Sequence, residues 1–323
     1  MRIFALDSSR ILGERIATFL DRSLDALEER NFEDGEHKIR PLVSVRDEDV
    51  YVIHSLYSDD KESVNDKLCK LLFLIAALKD DGAARVTAIV PYLCYARKDR
   101  RTKARDPVTM RYVASLFEAV HVDRLVTIDV HNLQAFQNAF RCKTEHLEAQ
   151  KLFVSYFQGK FGGGEAIVVM SPDIGGVKRA EQFRDRLAKS LEKEVGFAFM
   201  EKVRSKGVVS GDMVVGDVEG ADVIIIDDLI NSGSTMARAA AACKQRGATH
   251  VFGIATHGVF IESARDVFRG EGLDHLVVTN TVLSPSLGSL NNTVEVLDAA
   301  PVFSEVIRRL NTAGSLVSLM EIE

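Results

Sequence analysis

At 323 residues, 46% hydrophobic and 27% charged, with 22 glycines and 6 prolines, the chain has the usage of an ordinary globular protein, which excludes disorder and collagen-like repeats. Forty-one Lys and Arg against 47 Asp and Glu leave a formal charge of -6, so the protein as a whole is not drawn to nucleic acid or anionic lipid, and any polyanion site has to be locally basic. Cys69, Cys94, Cys142 and Cys243 lie far apart with no C-x-x-C pair, which argues against a disulfide framework or a zinc knuckle and fits a reducing cytosol.

The stretch Met1 to Gly13 carries Asp7 and lacks the long apolar run of a signal peptide, so no targeting is expected. Phe32, Asp34 and Glu36 alternate around Gly35, which by residue type is a turn with a core Phe. A strand is predicted over Val50–His54 and a helix over Asn65–Lys79; its most apolar part, Leu68–Leu78, contains Lys70 and is too short to span a bilayer. The strand Val86–Pro91 leads into the densest positive run, Arg97 to Arg105, and then to a helix over Pro107–Ala119. The strand Leu125–Asp129 is followed by His131, which on its own is as often a structural hydrogen-bonder as a ligand. The weakest stretch, Lys143 to Glu165, is polar and ends in three glycines; a domain boundary is placed at its beginning, dividing the chain into 1–146 and 147–323. Beyond it come the strand Ala166–Met170, then Asp173, a helix over Gly175–Leu191, and the apolar run Val195–Met200 heading Lys202, Arg204 and the polar stretch Ser205–Gly216. Strands over Val223–Ile226, His250–Ala255 and Leu276–Thr279 close the series, with a helix over Thr235–Arg246 ended by Gly247. Continuous rather than alternating hydrophobicity in the strands, alternating with helices, predicts an α/β protein with mainly parallel sheets covered on both faces.

The sharpest site signal is the strand Val223–Ile226 with Asp227-Asp228 directly after it, followed by Asn231-Ser232-Gly233-Ser234-Thr235 and an Ala-rich helix. A parallel strand delivers its C-terminal end to the crevice where open α/β sheets bind ligands. Adjacent carboxylates there suit the hydroxyls of a sugar or a water-bound Mg²⁺. The small loop, with a glycine able to take positive φ, lets backbone N–H groups converge on a phosphate at the helix N-terminus, and Ser232, Ser234 and Thr235 add hydroxyls. The chain has neither G-x-x-x-x-G-K-[ST] nor G-x-G-x-x-G after a strand, so any nucleoside triphosphate has to be held by side chains and metal.

This segment resembles the 5-phosphoribosyl 1-pyrophosphate motif shared by phosphoribosyltransferases and ribose-phosphate diphosphokinases. Phe32–Glu36, Tyr95–Arg100, Asp129–His131, Ser171–Val177, Lys202–Arg204, Gly216–Val218 and Thr256–Gly258 resemble the diphosphokinases in the same order. The resemblance implies two similar domains of the phosphoribosyltransferase type I fold, an N-terminal ATP-binding one over 1–146 and a C-terminal ribose 5-phosphate-binding one over 147–323, whose last segment packs on the first. It implies transfer of the diphosphoryl group of Mg–ATP to ribose 5-phosphate, in the cytoplasm and with no nucleic-acid or membrane partner. It assigns ATP to Phe32, Asp34, Gly35, Glu36, Arg97, Lys98 and Asp99, and Mg²⁺ to His131 and Asp173. Ribose 5-phosphate falls to Arg204, Asp227, Asp228, Asn231, Ser232, Gly233, Ser234 and Thr235, and the moving diphosphoryl group to Lys202 and Arg204. It also implies a homo-oligomer, because Phe32–Glu36 reaches the nucleotide site of a neighbouring subunit.

The chain departs from the family at Lys98, where the family has Gln, and at Asn231, where the common form has Asp and then Thr-Ala-Gly-Thr. Ser44, Arg46 and Ser318 match a regulatory phosphate site, but Leu316 and Glu321 replace a Ser and a Phe there. Two alternatives remain open from sequence: a non-catalytic homologue that restrains an active synthetase, and a phosphoribosyltransferase that consumes the same diphosphate.

Overall fold

The computed structural model describes residues 1–161, 164–205, 208–268, 272–284 and 294–320, with the side chains of 202–212, 265–266, 318 and 320 outside that description. The chain forms two compact units, Met1–Glu148 with the segment from Asp298 onward, and Ala149–Leu297. The first contains β1 (Arg2–Ala5), α1 (Arg10–Phe19), β2 (Leu27–Asn31), β3 (His37–Pro41), β4 (Asp49–Ile53), α2 (Val64–Asp80), β5 (Arg85–Ile89), α3 (Thr109–Ala119), β6 (Arg124–Ile128), α4 (Leu133–Ala139) and β7 (Lys143–Leu147). The second contains α5 (Gln150–Gln158), β8 (Ile167–Ser171), α6 (Val177–Leu191), β9 (Gly196–Ser205), β10 (Val208–Val215), β11 (Asp222–Ile230), α7 (Ser234–Gln245), β12 (His250–Gly258), α8 (Ala264–Val267), β13 (His275–Thr279) and β14 (Val294–Leu297). The chain then returns to the first unit as α9 (Ala300–Asn311) and α10 (Val317–Met320).

The first sheet has the order β1-β4-β5-β6-β7 and is parallel throughout. The second has the order β10-β9-β8-β11-β12-β13-β14, parallel except for the β9–β10 hairpin at its edge. Val50 to Ile53 of β4 and Val223 to Ile225 of β11 are completely buried, which is why these strands are uninterrupted apolar runs. Helix ends follow local chemistry: Ser63 and Asp66 form a reciprocal capping box on α2, and Gly247, at φ +85°, ends α7 as its type predicts.

The polar stretch Lys143–Glu165 proves to hold β7 and α5. β7 is an edge strand, paired only with β6, so it needs no continuous apolar run. α5 buries Phe153, Val154 and Phe157, and Phe157 stacks on Phe161 with centroids 5.3 Å apart.

In the first unit α9 packs on α1. Arg15 pairs with Asp298 at 2.6 Å, Arg308 donates to the Phe19 carbonyl at 2.9 Å, and Asn311 donates to Asp49 at 2.9 Å. The apolar face of α2 also carries two lysines. Lys67, fully buried, places Nζ 2.6 Å from Asp59 and 3.8 Å from the Tyr57 ring centroid, while Lys70 pairs with Glu62 and with Glu29. Burial, reinforced by these two ammonium groups, lowers the pKa of the enclosed His54 to about 3, so its ring stays neutral. Asp59→Ala strands a buried ammonium and is expected to lower the unfolding free energy in urea by about 3–5 kcal/mol. Lys67→Met combined with Asp59→Asn removes both charges and loses far less.

Candidate active site

The parallel pairing of β11 with β12 continues to Ile230 opposite Gly258. Asp227 and Asp228 therefore lie inside the strand, not after it as predicted, because β12 is long enough to pair with them. Asp228 is buried and Asp227 partly so. The Asp228 N–H donates to Asp227 Oδ1 at 2.8 Å, and Arg179 Nη1 lies 3.2 Å from both carboxylates. Burial and the adjacent Asp228 push the Asp227 carboxyl far above the usual range, and Arg179 opposes the shift. Two adjacent carboxyl groups are thus brought together with one guanidinium within the strand.

Arg179 is the site residue missed in the sequence. Its signal was its position: with Lys178 it opens α6, where the helix dipole disfavours cations, so an anionic partner was called for.

Three residues past Asp228 the chain turns. Asn231, Ser232 and Gly233 form the turn itself, with Gly233 at φ +77° as the N-cap of α7. Ser234 and Thr235 are already the first helical residues, so their amides have no acceptor within the helix and face outward at the positive end of its dipole. Ser232 Oγ and Ser234 Oγ lie 3.0 Å apart. Side-chain hydroxyls and backbone donors thus come together at one end of one helix, one turn from the carboxylate pair.

Asp173 follows β8 and caps the short 3-10 turn Ile174–Gly176, its Oδ1 accepting the Gly176 N–H at 3.0 Å. Lys202 and Arg204 lie on β9, opposite Asp212 and Val209 of the antiparallel β10. The polar stretch after them is the return strand of that hairpin; their side chains lie outside the described residues.

In the first unit, Phe32 to Glu36 are the tip of the β2–β3 hairpin. Gly35, at φ +88°, makes the turn, closed by Gly35 N–H to the Phe32 carbonyl at 3.1 Å and Glu36 N–H to Asp34 Oδ1 at 3.1 Å. The turn is as predicted, but Phe32 is not a core residue. The residue is 39% exposed, with the Arg30 guanidinium 5.0 Å from its ring centroid, because the tip projects beyond the part of the hairpin that packs on α2. Arg97 and Lys98 are exposed after Tyr95, which takes φ +59°. Asp99 accepts from Asn132 Nδ2 at 2.6 Å, which ties this basic loop to the segment carrying the exposed His131. The far half of the run is held differently: Asp106 accepts from the Thr102 hydroxyl at 2.7 Å and the Lys103 N–H at 2.9 Å, leaving Arg101 to Arg105 as a solvated turn.

Among the described residues no three His, Cys, Asp or Glu side chains cluster as a metal cage. Mg²⁺ keeps several waters and takes few protein ligands, so a site for it does not require such a cage. Among the described residues no helix is long and apolar enough to cross a membrane. Of the residues matched to a regulatory site, Leu316 is partly buried, while the Ser318 side chain and Glu321 lie outside the described residues.

Two family models match: the N-terminal domain of ribose phosphate pyrophosphokinase over residues 1–120, and the phosphoribosyl synthetase-associated domain over residues 198–321. A ribose-phosphate pyrophosphokinase of Hyphomonas neptunium is 37% identical over 322 residues, covering 99% of this chain and 100% of that protein. One from Listeria ivanovii is also 37% identical, covering 99% and 97%. The crystal structure of phosphoribosylpyrophosphate synthetase from Mycobacterium smegmatis superimposes with a TM-score of 0.88 at 35% identity, covering 97% of this chain and 99% of that one.

Proposed function

The chain belongs to the ribose-phosphate pyrophosphokinase family, and from that premise we propose that it transfers the β,γ-diphosphoryl group of ATP to ribose 5-phosphate. The 1-hydroxyl oxygen attacks the β-phosphorus, the bond between the α,β-bridging oxygen and the β-phosphorus breaks, and 5-phosphoribosyl 1-diphosphate and AMP result. The observation that carries this reading is the carboxylate pair in the C-terminal part of β11, close before the helix whose first amides have no acceptor within the helix. A sugar bearing a terminal phosphate satisfies both ends at once.

The first-turn amides of α7 and the hydroxyls of Ser232, Ser234 and Thr235 take the 5-phosphate, with Asn231 and Gly233 shaping the turn. Asp227 and Asp228 accept from ribose hydroxyls and orient the ring, which fixes the attacking oxygen. Arg97, Lys98 and Asp99 hold ATP together with Phe32, Asp34, Gly35 and Glu36 of a neighbouring subunit. An aromatic ring left in solvent at a hairpin tip, with acids beside it, supports that arrangement. Lys202 and Arg204 meet the charge that develops on the moving group, and Arg204 also reaches the ribose phosphate. His131 and Asp173 each serve as a Mg²⁺ ligand, directly or through water; the cation, when bound, neutralises phosphoryl oxygens and organises the triphosphate. Asn231 in place of an Asp removes one negative charge beside the bound phosphate.

The test is AMP release from ATP that depends on ribose 5-phosphate. A chain that binds both substrates but releases no AMP would be the restraining homologue instead. Co-assembling Phe32→Ala with Asp228→Asn chains is expected to restore about a quarter of wild-type activity, because random pairing leaves some sites with both residues intact. No recovery above the sum of the parents would remove the neighbouring subunit from the nucleotide site.

A further inference from the structure

We propose that Phe268, braced by Phe260, is a positioning residue for the phosphate loop that sets affinity for the 5-phosphate of the substrate; this rests on the assignment of that loop to ribose 5-phosphate. A Cβ placed on Gly233 would lie 2.5 Å from the Phe268 ring, so the ring presses directly on the loop where its backbone turns. Behind it, Phe260 meets Phe268 edge to face, with centroids 6.2 Å apart at 85°. A Cβ on Gly258 would in turn lie 2.4 Å from the Phe260 ring. The contact therefore runs Gly258, Phe260, Phe268, Gly233, and both ends admit hydrogen only.

Phe260 is buried and takes φ +41°, a conformation that bulky residues rarely adopt. Such strain persists only where the surroundings over-determine it. Here they do: the amides of Val259 and Phe260 both donate to the Ile230 carbonyl, at 3.0 and 3.1 Å, and the Ile261 amide donates to the Asn231 carbonyl at 3.1 Å. On the other side Ser284 Oγ donates to the Phe260 carbonyl at 3.2 Å. Ile230 and Asn231 are the entrance of the phosphate loop. One strained turn thus grips that entrance through the backbone and presses on Gly233 through two rings. A glycine at positive φ is otherwise free to flip its peptides, and donors that must converge on one anion lose their value when displaced by small amounts. The rings are assigned no contact with substrate; their effect passes through the position of the Gly233 and Ser234 amides.

The experiment compares wild type with Phe268→Ala and Phe268→Leu, measuring KM for each substrate, kcat, and thermal stabilisation by ribose 5-phosphate and by inorganic phosphate. Phe268→Ala is expected to raise KM for ribose 5-phosphate about tenfold with KM for ATP and kcat within about twofold, and to lose stabilisation by both anions. Phe268→Leu, which keeps an apolar filler and the fold, is expected to lie between. Gly233→Ala is expected to cost less when combined with Phe268→Ala than alone, since the ring it strikes is gone. The proposal is overturned if both Phe268 variants stay folded and bind ribose 5-phosphate as wild type does, or if kcat and both KM values worsen together. A wild type that binds ribose 5-phosphate without releasing AMP would instead overturn the assigned reaction and leave the positioning role standing.

Discussion

Lys202→Ala is expected to lower kcat by about a thousandfold while leaving the affinity for ribose 5-phosphate within about threefold of wild type. Phosphoryl transfer demands little covalent help from protein and much electrostatic help, so a cation at the moving group acts chiefly in the transition state. Lys202 and Arg204 stand two residues apart on β9. Their strand lies between β8 and the edge strand β10, in a hairpin whose register shifts between Val209 and Gly211. Steady-state kinetics with a separate equilibrium binding measurement checks the split. A raised KM with unchanged kcat would make Lys202 a simple substrate anchor.

Arg179→Ala carries the second large effect. At about pH 7 its kcat/KM for ribose 5-phosphate is expected to fall at least a hundredfold and to recover in part as pH rises. The Asp227 carboxyl already lies above its unfolded value because of burial and Asp228, with Arg179 as the opposing influence. Removing Arg179 lifts it further, so the ionised pair, proposed to accept from sugar hydroxyls, forms only in more alkaline solution. Stability moves the other way. A folded acid with a raised pKa holds a proton that the unfolded chain has released, so unfolding becomes easier as pH climbs from the unfolded value through the folded one. The variant is therefore expected to gain activity and lose melting temperature relative to wild type as pH rises above about 8, where the wild-type Asp227 carboxyl ionises. Arg179→Lys retains the charge without the planar fork and should fall between. A ratio of variant to wild-type activity that does not change with pH would mean that Arg179 contacts substrate directly.

The buried strands were legible because burial on both faces leaves a signature that only apolar β-branched residues can write, as at Val223 to Ile226. β7 and α5 were not, since an edge strand needs apolar side chains on few positions and a short helix can hide three core residues in a polar run. Within the site, Asp227, Asp228 and the small-residue loop announced themselves by type and order. Arg179 did not, because its role depends on α6 lying beside β11, a tertiary fact. Phe32 shows the opposite error: an aromatic residue next to a turn is usually core, and only the length of the hairpin reveals that its tip leaves the body of the unit. The pattern of Phe260 and Phe268 lies beyond any reading of types, because nothing local marks a phenylalanine held at positive φ.

The return of α9 to the first unit has a consequence during synthesis. Domains ordinarily fold as they emerge, first part first, at a translation rate that would add the intervening second unit in on the order of ten seconds. Over that interval the early half of the nascent polypeptide has α1 in place without the helix that covers it, and Asp49 without Asn311. Birth order and completion order are thus inverted: the half made first is the last to close, and a ribosome stalled after the second unit holds a finished second half tethered to an unfinished first one.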